Sequence, residues 1–322
     1  MSMKRVFVAG HNGMVGSAIC RSLQKDGRYE IISKDHSSLD LLDQHKVHKF
    51  LKTEKPDSVI FAAAKVGGIF ANNTYPADFI YENLQIQNNI IHGSHEANIQ
   101  ELLFLGSSCI YPKLAPQPIS EEFLLTGKLE TTNEPYAVAK IAGIKMCESY
   151  NRQFSRDYRS VMPTNLYGPG DNFHIENSHV IPALIRRFHE AKISNKKDII
   201  VWGSGRPKRE FLYVDDLADA ILFLINIEQS EFKKFITIKD SHVNIGTGED
   251  ISINELSNLI KKEINFDGEI LFDTSKPDGP PRKLLNIDLL NKMGWNYNTG
   301  LEEGLNKTYK WFLKNEGNHR ES

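Results

Sequence analysis

Near the start of the chain stands Val6-Phe7-Val8-Ala9, an apolar run with no polar alternation. A strand wetted on one face alternates, whereas an unbroken apolar run bounded by turns marks a strand covered on both faces. The same short signal recurs at Glu30-Ile31-Ile32, Val59-Ile60-Phe61-Ala62 and Leu102-Leu103-Phe104-Leu105, with helix-length segments between them. A glycine turn follows the first run, and then a helical spacing places Ala18, Ile19 and Leu23 on one side. Strands buried on both faces and alternating with helices predict an α/β fold on a Rossmann-type, doubly wound parallel sheet. Ser160-Val161-Met162 reads as a further strand, stopped by Pro163.

Past Asn165 the rhythm breaks. Gly168-Pro169-Gly170 is a loop signal, and Pro182 to Ala191 reads as helix. Phe211 to Ile225 returns to strand-then-helix and is expected to rejoin the first sheet. The expected organisation is a dinucleotide-binding domain over 1–167 plus about 211–245, and a smaller, discontinuous C-terminal substrate domain over about 168–210 and 246–322. Length agrees, since 322 residues at ~150 per domain make two units. The polar end from Asn315 to Ser322 is expected to fray.

Composition narrows the function class. Hydrophobic residues at 40% and charged residues at 25% exclude a disordered chain and supply a sizeable core. The 39 basic and 41 acidic residues leave a net charge of −2, and no basic tail or block stands out. Neither nucleic acid nor a membrane surface is therefore an expected partner. The longest apolar stretch, Leu217 to Ile225, is interrupted by Asp219 and falls far short of the ~20 residues of a membrane span. Cys20, Cys109 and Cys147 make neither a disulfide framework nor a metal-ligand spacing. The N-terminus carries no signal-peptide pattern, so a reduced, cytoplasmic protein without a metal is expected.

Gly10-His11-Asn12-Gly13-Met14-Val15-Gly16 follows the first strand directly and opens the first helix. Glycine permits the tight turn, lets backbone approach a pyrophosphate and allows close helix–strand packing. The phosphates then meet free amides at a helix N-terminus. A turn needs glycine anyway, but this placement within a βαβ pattern favours dinucleotide binding. The GxxGxxG spacing is the variant associated with short-chain dehydrogenase/reductases. Ser33-Lys34-Asp35-His36 after the second strand mixes both signs of charge. Lys34 tilts the expectation towards NADPH, with NADH the lesser choice.

Tyr136 and Lys140 form a Y-x-x-x-K pair, and Ser107-Ser108 follows the fourth strand. Positions four apart share a helix face, so the ammonium is expected beside the phenol, lowering its pKa from ~10 towards neutrality. Tyr136 is then a proton donor to an alkoxide forming from a ketone, with Ser107 hydrogen-bonded to the same oxygen. Such a pair also arises by chance, and serines also cap helices. The glycine turn upstream is what makes catalysis the favoured reading.

The chain closely resembles the GDP-L-fucose synthases, which are extended short-chain dehydrogenase/reductases, from about Arg5 to about Phe312. The segments that carry the resemblance include Ala62 to Gly68, Leu105 to Lys113, Asn133 to Lys140, Met162 to Pro169, Asn177 to Pro182 and Ser275 to Gly279. The family inverts C3 and C5 of GDP-4-keto-6-deoxy-D-mannose and then reduces C4 with NADPH. The resemblance implies that Ser107, Tyr136 and Lys140 serve reduction, while Cys109 and His179 exchange protons at C3 and C5. It implies a cofactor site of Gly10, Asn12, Gly13, Met14, Val15, Gly16, His36, Leu41, Leu105, Gly106, Ser107, Lys140, Pro163, Thr164, Asn165, Leu166 and His179. It implies substrate contacts at Arg187, Trp202, Arg209 and Asp278, and a homodimer paired through helices of the first domain. One departure stands out: where family members commonly carry arginines for the NADP phosphate, this chain has Asn12 and His36.

Three rivals remain at the level of sequence. The nearest is a sugar-nucleotide 4,6-dehydratase or 4-epimerase on the same scaffold. A dehydratase typically carries an acidic pair after the serine or threonine at the fourth strand, and Ser108-Cys109-Ile110 offers no acid there. A reductase or epimerase of a related GDP-4-keto sugar, on a colitose or heptose route, fits the same residues. A non-catalytic dinucleotide sensor has no need of the catalytic set.

Overall fold

The computed structural model describes residues 3–174, 178–237, 240–276 and 278–315. Asn177, Pro277 and the polar end from residue 316 onward, all part of the sequence expectations, lie outside the described residues. The elements run β1 (Lys4–Ala9), α1 (Met14–Asp26), β2 (Tyr29–Ile32), α2 (Gln44–Glu54), β3 (Ser58–Phe61), α3 (Ile69–Thr74), α4 (Pro76–Glu96) and β4 (Glu101–Leu105). Then come α5 (Glu134–Phe154), β5 (Asp157–Pro163), β6 (Asn165–Tyr167), α6 (Val180–Ile193), β7 (Asp198–Trp202), β8 (Lys208–Arg209) and β9 (Phe211–Tyr213). The chain continues through α7 (Val214–Asn226), α8 (Gln229–Phe232), β10 (His242–Ile245), β11 (Ile251–Ser252) and α9 (Ile253–Ile264). It closes with β12 (Glu269–Asp273), β13 (Arg282–Lys283), α10 (Asp288–Met293) and α11 (Leu301–Lys314).

Six strands form one parallel sheet in the order β10-β5-β4-β3-β1-β2. From β1 the chain goes first to one side, to β2, and then crosses to the other, to β3. Ligands of such sheets bind beyond the carboxyl ends of the strands at this switch. The glycine turn and the end of β3 therefore meet where a dinucleotide is expected: Ala62 N donates to Ala9 O at 2.9 Å.

Alternate residues of each strand feed opposite cores, as the strand period of two requires. Phe7, Val59 and Phe61 pack on one face with Val47, Leu51, Ile90 and Ile144. Val6, Val8 and Ile60 pack on the other with Ile19, Leu23, Leu217, Ile221 and Leu224. Each such fully buried aliphatic side chain contributes about 2 kcal/mol relative to exposure. A third core joins α6, β7, α9 and α11 through Ile185, Phe188, Val201, Ile260 and Phe312.

The fifth strand ends at Pro163 as expected, and this last residue stands opposite Ile245 of β10. Proline lacks only a donor there, and Thr164 N supplies the next bond, to Ile245 O at 2.9 Å. One expectation is corrected: Phe211 to Ile225 adds no strand to the first sheet, since β9 pairs with β6 in a separate parallel ribbon, while Leu212 of β9 and the helix α7 pack on the Val6/Val8 face of that sheet. The sixth strand is instead β10. Among the described residues, no helix is long and apolar enough to cross a membrane.

Candidate active site

The glycine turn is built by close backbone approach. Gly10 has φ +90°, and a Cβ there would stand 2.7 Å from Ala63 N. A Cβ on Gly16 would collide with the Gly10 carbonyl oxygen. Gly13 N donates to that oxygen at 2.9 Å, and Gly13 caps α1 in an extended conformation with no side-chain cap. The first turn of α1 carries no acid. Free amides, no capping side chain and no negative charge make this helix end a cradle that fits a dinucleotide diphosphate.

At the carboxyl end of β4, Ser107 takes an extended conformation and its Oγ accepts from Cys109 N at 3.3 Å, starting a short 3-10 turn over Ser108–Ile110. That turn packs against the start of α5, where Asn133 is the N-cap and Asn133 Nδ2 donates to Cys109 Sγ at 3.2 Å. Tyr136 and Lys140 follow one turn apart on the same face, and Lys140 Nζ lies 5.8 Å from the Tyr136 ring centroid. Ser107, Cys109 and Tyr136 are half-buried, and Lys140 is buried. Sequence spacing thus brings Ser107, Cys109, Tyr136 and Lys140 into one cluster.

The charge state of this cluster corrects the expectation of a phenol drawn towards neutrality. Burial pushes the Tyr136 pKa up, the neighbouring Cys109 adds to that rise, and a hydrogen bond with Ser107 opposes it. Burial also pushes Lys140 down to about 7. Its Nζ donates to Leu105 O at 2.8 Å and lies 4.8 Å from the Phe104 ring centroid. Desolvation of both groups outweighs their mutual attraction. Tyr136 therefore stays a neutral O–H, the form that donates a proton.

His179 caps α6. Among the described residues, no hydrogen bond or ring contact joins it to the other four. Its side chain is exposed, yet desolvation by the protein atoms around it holds its pKa below the ordinary imidazole value.

Trp202 ends β7 and is 62% exposed, not a core residue. The Arg187 guanidinium lies 5.3 Å from its ring centroid and Lys276 Nζ 5.6 Å. An exposed indole between two cations is a platform for a flat, anionic ligand. Asp278 accepts from Ser204 N at 2.8 Å and Ser204 Oγ at 2.7 Å, and these bonds hold its pKa below the ordinary value. Arg209 donates through one nitrogen to Lys208 O and Pro280 O, both at 2.7 Å. Desolvation lowers its pKa, and the charge of Asp278 opposes that.

Residues 6–246 match the NAD dependent epimerase/dehydratase family. The chain belongs to that family. Among its curated relatives, a GDP-L-fucose synthase of Escherichia coli is 58% identical over 99% of this chain and 100% of its own length. Among solved structures, a GDP-6-OMe-4-keto-L-xylo-heptose reductase from Campylobacter jejuni superposes with a TM-score of 0.92 at 38% identity, covering 98% of this chain and 99% of that one. A GDP-L-fucose synthetase from Naegleria fowleri bound to NADP gives a TM-score of 0.89 at 28% identity, covering 99% and 97%.

In this member of the epimerase/dehydratase family, the remaining predicted cofactor residues fall into two groups. Leu105, Gly106, Pro163 and Thr164 are buried at the carboxyl ends of β4 and β5, and a Cβ on Gly106 would collide with Met162. Asn165 Nδ2 donates to Glu210 O at 2.8 Å, and Leu166 packs into the core behind α1. Near β2, Asn12 Nδ2 donates to Asp35 Oδ1 at 2.7 Å, and His11 Nε2 lies 3.3 Å from the same oxygen. His36 is exposed, with Nδ1 3.8 Å from Asp40 Oδ1. Lys34 Nζ lies 6.0 Å from the Phe50 ring centroid. Leu41 packs on the first core, and its carbonyl accepts from Asn89 at 2.8 Å.

Sequence reasoning missed three residues. Asn133 stood in a quoted segment without a role. Lys283, whose Nζ lies 3.7 Å from Cys109 Sγ, is far away in sequence and marked by no motif. Glu210 is fully buried and accepts from Thr247 N, Gly248 N and Leu285 N at 2.7, 2.8 and 3.0 Å. Its place beside Arg209 in an irregular stretch gave no signal.

Proposed function

We propose that this protein is a bifunctional 3,5-epimerase and NADPH-dependent 4-reductase that converts GDP-4-keto-6-deoxy-D-mannose to GDP-L-fucose. The observation that carries the reading is the meeting of the Cys109 thiol with Ser107, Tyr136 and Lys140 at one loop–helix junction. A simple ketone reductase has no use for a thiol there. The relatives named GDP-L-fucose synthase support the reading.

The chemistry hangs together through the C4 ketone, which acidifies the C–H bonds on both sides. Of Cys109 and His179, one takes the proton from C3 or C5 and the other returns one to the opposite face. Tyr136 and Ser107 hydrogen-bond the C4 oxygen and stabilise the negative charge it gains. NADPH, held at the glycine turn Gly10 to Gly16, would supply hydride for C4. Tyr136 then gives its proton to that oxygen, and the Lys140 ammonium beside its ring stabilises the phenolate until water reprotonates it. We assign the Rossmann sheet (1–167 and about 211–245) to the dinucleotide, held by the predicted cofactor residues. The part with the third core (about 168–210 and from 246 on) takes the GDP-sugar, with Arg187, Trp202, Arg209 and Asp278 on the nucleotide. A cytoplasmic homodimer through α4 and α5 completes the reading, with Tyr81 on α4 and Val138 and Phe154 on α5 exposed.

A second reading, a related GDP-4-keto sugar such as a heptose, is favoured by the likeness to the Campylobacter jejuni reductase. Incubation with GDP-4-keto-6-deoxy-D-mannose and NADPH, followed by NMR of the sugar, decides between them. GDP-L-fucose is expected. A C4-reduced product with the original C3 and C5 configuration, or no turnover, overturns the proposal.

A further inference from the structure

We propose that Lys283 is a positioning residue for the epimerisation, its ammonium set against the Cys109 sulfur to hold it as a proton acceptor. The inference rests on the epimerase/reductase reading above. Lys283 Nζ lies 3.7 Å from Sγ, and Asn133 Nδ2 donates to the same sulfur at 3.2 Å. An ammonium and an amide NH₂ can only donate. A neutral thiol gains little from two donors, whereas an anionic sulfur accepts from both, as charge-assisted bonds do.

Lys283 reaches this place from a strongly anchored backbone. It pairs with Arg209 across β13 and β8. Leu284 N donates to Gln117 Oε1 at 2.8 Å, and Leu285 N donates to Glu210 Oε2 at 3.0 Å. Ile119 N closes the other side by donating to Leu284 O at 2.7 Å. The segment after Lys283 is therefore tied both to the loop that follows Cys109 and to the buried Glu210. Its half-buried side chain spans from the strand beside Arg209 to the turn after β4. Asn133 is fixed from the other direction as the N-cap of α5, three residues before Tyr136.

The step this arrangement serves is balanced without a co-reactant. The thiolate takes a proton from the carbon beside the C4 ketone, forming S–H as C–H breaks. The C–H electron pair moves into the carbonyl and leaves an oxyanion at Tyr136 and Ser107. His179 gives a proton to the opposite face of that carbon as the electrons return from the oxyanion, which inverts the centre, and exchange with water resets the thiol and the imidazole. Lys283 exchanges no proton itself; it sets the charge on sulfur before the step.

The test compares wild type with Lys283→Met and Lys283→Arg in two assays. The first is the rate of Cys109 alkylation by iodoacetamide at neutral pH, mapped by mass spectrometry to separate it from Cys20 and Cys147. The second is deuterium exchange at C3 and C5 of GDP-4-keto-6-deoxy-D-mannose without NADPH. Lys283→Met is expected to slow both by about tenfold, and Lys283→Arg to restore most of each rate. Dinucleotide binding monitors the fold, and the charge-conserving arginine variant carries the comparison where the methionine variant is unstable. Alkylation at the wild-type rate in Lys283→Met overturns the proposal. So does a raised KM for the GDP-sugar with exchange intact, which makes Lys283 a diphosphate contact. A wild-type protein that exchanges no deuterium overturns the epimerase reading, and the task of Lys283 with it; retained exchange in Lys283→Met overturns the assignment of Lys283 alone.

Discussion

Burial acts on Tyr136 and Lys140 in opposite directions: it raises the phenol, which keeps its proton near neutral pH, and lowers the amine to about 7, where it is about half protonated. Tyr136→Phe keeps the ring that packs edge-on against Phe79, at 6.3 Å between centroids, and removes only the donor. Hydride transfer to a 4-keto sugar is expected to fall by about 10²-fold or more, with dinucleotide binding retained. Stopped-flow loss of nicotinamide absorbance measures it, and a near-wild-type rate removes Tyr136 as the acid. A second residue-scale prediction concerns the end of β2. Asn12 is engaged by Asp35 and His36 stands beside Asp40, so neither offers the forked guanidinium that suits an adenosine 2′-phosphate. NADPH is expected to be preferred only modestly over NADH. Replacing both by arginine is expected to raise the kcat/KM ratio of NADPH to NADH by about tenfold or more, from charge-assisted bonds worth ~1.5–3 kcal/mol each. An unchanged ratio places the phosphate elsewhere.

At the scale of elements, legibility followed side-chain chemistry. Strands β1, β3 and β4 are continuous apolar runs, and the glycine turn has a fixed place after the first of them, so both could be read from the chain. Strand β10 could not, because it spends two of its four positions on polar residues buried in the sheet. The Tyr111 hydroxyl donates to Asn244 Oδ1 at 2.6 Å and lies 3.1 Å from His242 Nε2, while Asn244 Nδ2 donates to Ile119 O at 3.0 Å. This internal pairing engages polar groups that in sequence look like a loop, leaving His242 Nδ1 without a partner. It also predicts a pH dependence. Burial pushes His242 down to about 4, below its ordinary imidazole value. The unfolded chain therefore takes up the proton first as pH falls, and stability drops between pH ~6.5 and ~4 by at most about 3 kcal/mol. Above that window the group is neutral in both states and contributes no slope. Urea midpoints from pH 4 to 7 are expected to converge for wild type and His242→Gln towards low pH; parallel curves refute the assignment. The candidate catalytic cluster shows the same division. Tyr136, Lys140 and Ser107 carry local spacing, whereas Lys283 and Glu210 reach the site only through tertiary pairing.

Across the whole molecule, β13 and β8 pair Lys283 with Arg209, so on the proposed assignment substrate grip and chemistry share one ribbon. The outer part of that grip is open to test with GDP alone. Trp202 is 62% exposed, while Trp295 is buried and donates to Asp219 at 2.9 Å. GDP is expected to quench the exposed indole. Trp202→Ala is expected to lose that quench and weaken GDP by about tenfold, the scale of ~1–3 kcal/mol for a base stacked on an aromatic ring. Unaltered GDP affinity by calorimetry rules out stacking.

The position of β10 has a consequence for biogenesis. Its partner β5 is complete at Pro163, but β10 ends only at Ile245, about eighty residues later. A ribosome adding ~5–20 residues per second leaves the free edge of β5 without its neighbour for several seconds after β5 emerges. During that interval Val161 and Met162 offer an unpaired strand edge to any other nascent chain. Release of a truncated product ending before His242 makes that exposure permanent. Such fragments are predicted substrates for chaperones and proteases, even though they contain the whole glycine turn and the Tyr136–Lys140 pair.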